Sequence, residues 1–161
     1  RPGKSSGAAA IRFGLDWLLA NAAGASLPLV VLAGHDKDDE RASLRISEPL
    51  APEQAKSALR VLLQMRAQGM RAPLPFAPYT GWAIYTADPR RAESAAREKW
   101  YGNDFSEFAE STSASIALAF RGRDPLATDA GYAEFAHNSR RIFEAVCYGN
   151  ALVAFEDLLD A

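Results

Sequence analysis

Apolar residues recur along the chain with two periods, and the switch between them divides it into elements. Ile11, Leu15, Leu18, Leu19 and Ala22 share one helical face, so a helix is expected over 11–23, with Gly24 as its stop. Leu27-Pro-Leu-Val-Val-Leu-Ala33 is almost wholly apolar and reads as a short buried strand. Ala42-Ser-Leu-Arg-Ile-Ser47 alternates with period two. Across the polar loop 34–40, the pair predicts a hairpin with one central and one half-exposed strand. Pro52 opens the next helix, whose stripe of Ala55, Ala58, Leu59, Leu62 and Leu63 runs to Gly69.

The segment Arg71-Ala-Pro-Leu-Pro-Phe-Ala-Pro-Tyr-Thr-Gly-Trp-Ala-Ile-Tyr85 breaks this rhythm. Its clustered prolines forbid a regular helix or central strand at its start. Phe76, Tyr79, Trp82 and Tyr85 make it too apolar for a solvated linker. It reads as a stiff connector running into a short helix. Beyond it, a charged helix is expected over 90–100, a polar loop over 103–115 and a short apolar element of open type over 115–120. A long helix then carries Tyr132, Phe135, Ala136, Ser139, Ile142, Phe143 and Val146 on one face, with His137, Arg140, Arg141 and Glu144 on the polar side. An amphipathic turn or helix over 151–159 follows.

With more helix than strand, the fold class is α+β or α/β. No repeat or linker divides residues 1–161, which are read as a single domain. Two strands are too few for a stable sheet alone, so further strands are expected upstream. The chain begins without Met, which reads as a piece of a longer protein.

Composition narrows the function. Apolar content of 48 % and charged content of 24 % are those of an ordinary globular protein. The net charge of −2 gives no general attraction to nucleic acid or anionic membrane. Fourteen of the 18 basic residues are Arg, which follows from a GC-rich genome as readily as from phosphate binding. Cys147 stands alone, which excludes an internal disulfide and a cysteine-based zinc site. A reduced, cytoplasmic setting fits, and no apolar run approaches a membrane span.

Candidate chemistry is sparse. His35-Asp-Lys-Asp-Asp-Glu40 offers oxygens for a divalent cation, yet it lacks the glycine and distal Glu of a calcium loop and reads as a solvated turn. His137 and Cys147 lie on one helix without a turn-held nucleophile, and Cys147 reads as a small buried thiol. Neither a glycine-rich phosphate loop nor a nucleophile elbow is present. Restriction-type nucleases carry Asp/Glu-x-Lys on a strand, where two carboxylates hold the metal and Lys helps activate water. Two residues before Lys4, Lys37, Lys56 and Lys99 stand Pro2, His35, Gln54 and Arg97, none of them acidic. Arg71, Trp82, Trp100, Arg121 and Arg123 are the candidates for DNA or partner contact, because aromatics stack on unpaired bases and Arg binds phosphate. The competing structural reading puts Trp82 and Trp100 in the core and has Arg121 and Arg123 pair Asp124 or cap a helix end.

Six landmarks occur in order: Arg1-Pro-Gly-Lys4, Trp17-Leu-Leu-Ala-Asn-Ala-Ala-Gly24, Val30-Val-Leu-Ala-Gly34, the Pro73–Pro78 block with Trp82, Lys99-Trp-Tyr-Gly102 and Phe120-Arg-Gly-Arg-Asp-Pro-Leu126. Together they resemble the carboxy-terminal domain of the RecC family, the gamma chain of exodeoxyribonuclease V (RecBCD), over nearly the whole chain. Residues 36–41 and the stretch after Gly149 match only loosely. The resemblance implies a truncated restriction-endonuclease-like, PD-(D/E)XK-type core, a small sheet with a hairpin flanked by helices, that lacks catalytic residues. In active relatives a strand ending Asp-Tyr-Lys-Thr-Gly supplies the second carboxylate and the lysine, and Arg1-Pro-Gly-Lys4 follows or replaces it here.

The implied role is structural: holding RecB and RecD and shaping the channels for unwound strands in double-strand-break repair by homologous recombination. It implies no cofactor for this domain, with ATP and Mg used on other subunits, no membrane, and DNA met only within the complex. Two other readings remain open at this level: a truncated but active metal-dependent nuclease domain, and an interaction module of another complex.

Overall fold

The computed structural model describes residues 5–34, 43–103 and 108–152. The described residues form an α+β arrangement of six α-helices and one two-stranded antiparallel sheet. Helix α1 (Gly7–Ala22) starts four residues before the apolar stripe predicts, because Ser6 Oγ accepts the Ala9 N–H and caps it. Gly24, at φ +87°, turns the chain after it. Strands β1 (Leu29–Ala33) and β2 (Ser43–Ser47) pair as the expected hairpin, with Val30 opposite Ile46 and Leu32 opposite Leu44. The acidic stretch 35–40 and the predicted element at 151–159 fall wholly or largely outside the described residues.

Helix α2 (Pro52–Gly69) has the predicted bounds, with Pro52 in the first turn where its missing N–H costs nothing. The proline-aromatic segment enters α3 (Pro78–Thr86), and α4 (Ala92–Tyr101) is the charged helix. A 3-10 turn at Glu110–Thr112 precedes α5 (Ala114–Phe120), which resolves the element of open type as helical. Helix α6 (Asp129–Tyr148) is capped by Thr128 Oγ1, which accepts the Gly131 N–H at 3.1 Å. It ends at Gly149, φ +71°, where the Gly149 and Asn150 N–H groups return to the Ala145 and Glu144 carbonyls.

Helix α6 contributes to four buried clusters. Phe135 joins Trp100, Phe120 and Leu126; Ala145 joins Trp17, Leu18, Ala55 and Ala58; Phe143, Val146 and Cys147 join Ala10; Ile142 joins Val61 and Met65. A helix contacted on so many sides buries polar positions too. Arg141, expected on the polar face, is 3 % exposed, as are Asn138 and Ser139 to a similar degree.

The proline-aromatic segment explains much of this packing. Phe76 sits 6.5 Å from Phe135 and 6.0 Å from Phe143, while the Trp82 and Tyr85 rings lie 4.9 and 5.4 Å from Phe143. Such ring pairs contribute beyond their buried area. Gly81 permits the close approach of α3 to α6, since a Cβ there would lie 2.8 Å from Ser139 Oγ and from Phe76 Cε2. The connector is a wedge of aromatic rings set against α6.

Candidate functional site

The hairpin is built inside out. Leu29, Val31, Arg45 and Ser47 share one face with Ala33, by the period-two geometry of the pair. That face turns toward the helices. Ser47 Oγ donates to the Cys147 carbonyl at 2.8 Å, and Leu29 packs against the Trp17 cluster. Arg45 Nη1 donates to Cys147 Sγ at 2.9 Å, while Nε and Nη2 are buried with no hydrogen-bond acceptor. The opposite face carries only apolar side chains, Val30 57 %, Leu32 63 %, Leu44 60 % and Ile46 55 % exposed. The expectation of a buried central strand is therefore corrected: β1 pairs only with β2 among the described residues, and its Val30 and Leu32 point outward. An apolar run does not tell which of its two faces is covered.

The hairpin is held in this attitude by the end of α1. Trp17 Nε1 donates to the Leu27 carbonyl at 2.8 Å, and Asn21 Nδ2 donates to the same oxygen at 2.9 Å. Asn21 Oδ1 then accepts the Leu50 N–H at 3.1 Å. One buried amide thus ties the chain just before the hairpin to the chain just after it, and buried polar groups that are fully paired fix geometry in this way. The burial of Trp17 and Asn21 gives a physical reason for the Trp17–Gly24 landmark.

A second apolar surface is a groove of about 510 Å³ between α1, α2 and the end of the proline segment, lined by Ile11, Leu15, Leu59, Leu63, Met70 and Leu74. Leu63, placed on the core stripe by its spacing, is instead 63 % exposed at this groove, and Val61 and Met65 take the buried positions.

The candidate contact residues fall in different places. Trp100 is 3 % exposed, edge-on to Phe120 and Phe135 with centroids 5.6 and 6.0 Å away, so its faces are closed to a base and it stands in the core. Trp82 is half-buried between Tyr85 and Phe143. Arg71 is exposed just past α2. Arg121 and Arg123 are exposed in the turn after α5, where Arg121 itself takes the left-handed conformation that ends the helix, φ 50° and ψ 45°. Asp124 does not answer either of them among the described residues. Its oxygens accept the Tyr101 hydroxyl and the Leu126 N–H. Arg123 and Trp100 line the same small cleft of about 240 Å³.

Two partly or fully buried titratable groups are held in their neutral forms by their surroundings. Burial pushes the Cys147 thiol up, against the opposing pull of Arg45, so the thiolate is disfavoured. Burial also pushes the Tyr85 phenol well up, reinforced by its hydrogen bond to Glu144. Among the described residues no three His, Cys, Asp or Glu side chains converge on a common point, and no helix is long and apolar enough to cross a membrane.

The sequence signal that was missed is Glu110, which lies in a stretch read as polar loop. Its carboxylate is buried and accepts the Tyr79 N–H at 3.0 Å and the Thr80 N–H at 2.6 Å, which closes the start of α3. No spacing rule joins residues 30 positions apart.

No curated protein matches this chain. The sequence profile described as the RecC C-terminal domain matches residues 1–89, which take in α1, the hairpin, α2 and α3. With more than half of its length matched, and with the Trp17–Gly24 and Pro73–Pro78 landmarks accounted for by a hairpin clamp and an aromatic wedge while Arg1–Lys4 lies outside the described residues, the chain belongs to the RecC C-terminal domain family, a component of the exodeoxyribonuclease V (RecBCD) complex of DNA repair.

Proposed function

We propose that this chain is a non-catalytic docking domain of the gamma subunit, which helps hold RecB and RecD and shapes the path of unwound DNA strands. The observation that carries this reading is the inverted hairpin. Full burial of a Val, Leu or Ile side chain is worth about 1.5–3 kcal/mol. Four such residues, each more than half exposed, therefore offer on the order of 4–7 kcal/mol to whatever covers them. A monomer gains nothing from facing that surface to water while turning Arg45 inward, whereas a subunit of a multi-chain assembly does.

The relation to a restriction-endonuclease-like core that has lost its catalytic residues, the single-domain reading of residues 1–161 and the cytoplasmic setting belong to the same proposal. It is supported by family membership and by the absence of any acidic residue two positions before the four lysines.

The test is assembly. In the full gamma subunit, Leu32→Glu with Ile46→Glu is expected to leave the circular dichroism and melting of the subunit nearly unchanged, since both sites are exposed in residues 1–161; a large fall in melting of the subunit alone would show that upstream chain covers the hairpin and would overturn the reading. Co-purification of RecB and RecD should fall at least about tenfold, the cost of seating charge in an apolar interface. Wild-type assembly by the double variant would overturn the reading. So would magnesium-dependent DNA degradation by this chain alone that is lost on substitutions within it, which would favour the nuclease alternative.

A further inference from the structure

Beneath the hairpin lies a positive charge without a counterion. Arg45 Nη1 donates to Cys147 Sγ at 2.9 Å, while Nε and Nη2 are buried with no acceptor. A guanidinium keeps its charge at any ordinary pH, so it cannot escape this position by losing a proton. An uncompensated charge in a protein interior is strongly destabilising, and an apolar side chain of similar volume would be preferred there. The two orphan nitrogens also share one edge of the guanidinium. Their N–H bonds run parallel, at the spacing of the two oxygens of a carboxylate.

No described carboxylate takes that edge. Glu144, the acid whose field reaches Cys147, already accepts the Tyr85 hydroxyl on Oε1 and Asn150 Nδ2 on Oε2. Glu48, next to the inward-facing Ser47, is exposed. A partner docked on Val30, Leu32, Leu44 and Ile46 meets the opposite face of the hairpin, so the acid has to come from this chain. The end of α6 lies under the half of the hairpin remote from its loop, since Cys147 meets both Arg45 and, through its carbonyl, Ser47.

The chain leaves α6 at that place. Asn150, three residues past Cys147, is held on the Glu144 carbonyl and side chain. Residues 153–161 then carry Glu156, Asp157 and Asp160. The six residues from Asn150 to Glu156 span about 9 Å as helix and about 20 Å extended, whereas Cys147 stands about one helical turn before Asn150. At a 3.6-residue period Leu152, Phe155, Leu158 and Leu159 share one side. Glu156 borders that side and Asp157 falls nearly opposite it. An apolar contact of this segment with the body therefore brings Glu156 inward.

We propose that the segment after α6 folds back beneath the hairpin and sets the Glu156 carboxylate on Arg45 Nε and Nη2, a two-pronged ion pair that locks the hairpin against α6. The lock goes beyond the docking reading and does not depend on it.

The experiment is denaturant unfolding of the full 161-residue chain at neutral pH, as a double-mutant cycle on Arg45→Met and Glu156→Gln. Each single variant is expected to lower the folding equilibrium constant about tenfold, the range of a hydrogen bond to a charged group. The double variant should be little worse than either. Cutting the chain after Leu152 should reproduce the Glu156→Gln loss. In that shortened chain Arg45→Met should raise stability, because it removes a charge then left unpaired.

A gain in stability for Arg45→Met in the intact chain would overturn the proposal, since no anion would then be meeting the guanidinium. Additive losses would overturn it too, by placing the two residues apart. Coupling of Arg45 to Asp36, Asp38, Asp39 or Glu40, read by their Asn or Gln exchanges, would put the hairpin loop in the place assigned to Glu156. The cycle reads the stability of the chain and the hairpin test reads subunit assembly, so failure of one leaves the other standing.

Discussion

Helix α3 begins after Ala77, whose side chain cannot cap it, and the capping group arrives from residue 110. Both N–H groups that Glu110 accepts belong to the first turn of the helix, and that of Thr80 is fully buried where water cannot replace the carboxylate, while that of Tyr79 is part-buried. An unsatisfied buried donor costs about 1–3 kcal/mol. Glu110→Ala is therefore expected to lower the unfolding free energy by about 2–4 kcal/mol, read from the denaturant midpoint at unchanged slope. Glu110→Gln keeps one accepting oxygen and should cost about half as much. Equal losses for the two variants would show that volume, and not the pair of hydrogen bonds, sets the cost. Cys147 marks the opposite extreme among the polar groups. It is fully buried, its thiolate is disfavoured, and it serves as an acceptor for Arg45 beneath the hairpin.

At the scale of elements, the crossing of α1 over α6 fixes where the hairpin sits, and Gly14 makes it possible. A Cβ at Gly14 would lie 2.1 Å from the Val146 carbonyl oxygen and 2.6 Å from Val146 Cβ. The obstacle is backbone, which cannot rotate away, so the two helices must separate. Gly14→Ala is expected to cost about 3 kcal/mol or more despite the gain in helix propensity of about 1 kcal/mol. Its melting temperature should fall by several degrees, and a neutral or stabilising effect would show that the crossing is softer than the contact distance indicates.

Much of this level was legible in the sequence. Proline, glycine and the 3.6-residue period located α2 to the residue, and the alternation over 42–47 located the hairpin. The outward attitude of the hairpin was not legible, because alternation says which side chains share a face and not which face meets the helices. Nor was the burial of Arg141 and Val61 legible, because each depends on how many neighbours surround a helix, and that number is a property of the packed molecule. Trp100 was left between two readings for the same reason, since an aromatic beside Lys99 and Tyr101 fits a surface or a core equally well until Phe120 and Phe135 are seen to enclose it.

For the whole molecule, the remaining question is how a chain of net charge −2 takes part in a DNA-processing assembly. Its field does not attract a polyanion, so the isolated chain is expected to bind DNA weakly at physiological salt. Local charge differs from the average: Arg121 and Arg123 project from one exposed turn, with Gly122 at φ +79° between them and no ion pair for either among the described residues. If this turn borders a strand in the assembled complex, each arginine on a phosphate adds about 0.7–0.9 to the slope of log affinity against log salt. Replacing both by Ala in the full complex should lower that slope by about 1.4–1.8 while leaving the melting of the subunit within about 0.5 kcal/mol of wild type. The measurement is a salt titration of single-stranded and duplex DNA binding by the reconstituted complex. A smaller slope with intact assembly assigns the turn to strand guidance. An unchanged slope assigns Arg121 to the one job its backbone already performs, ending α5 in a left-handed turn, and leaves the docking surfaces as the whole of what this domain contributes.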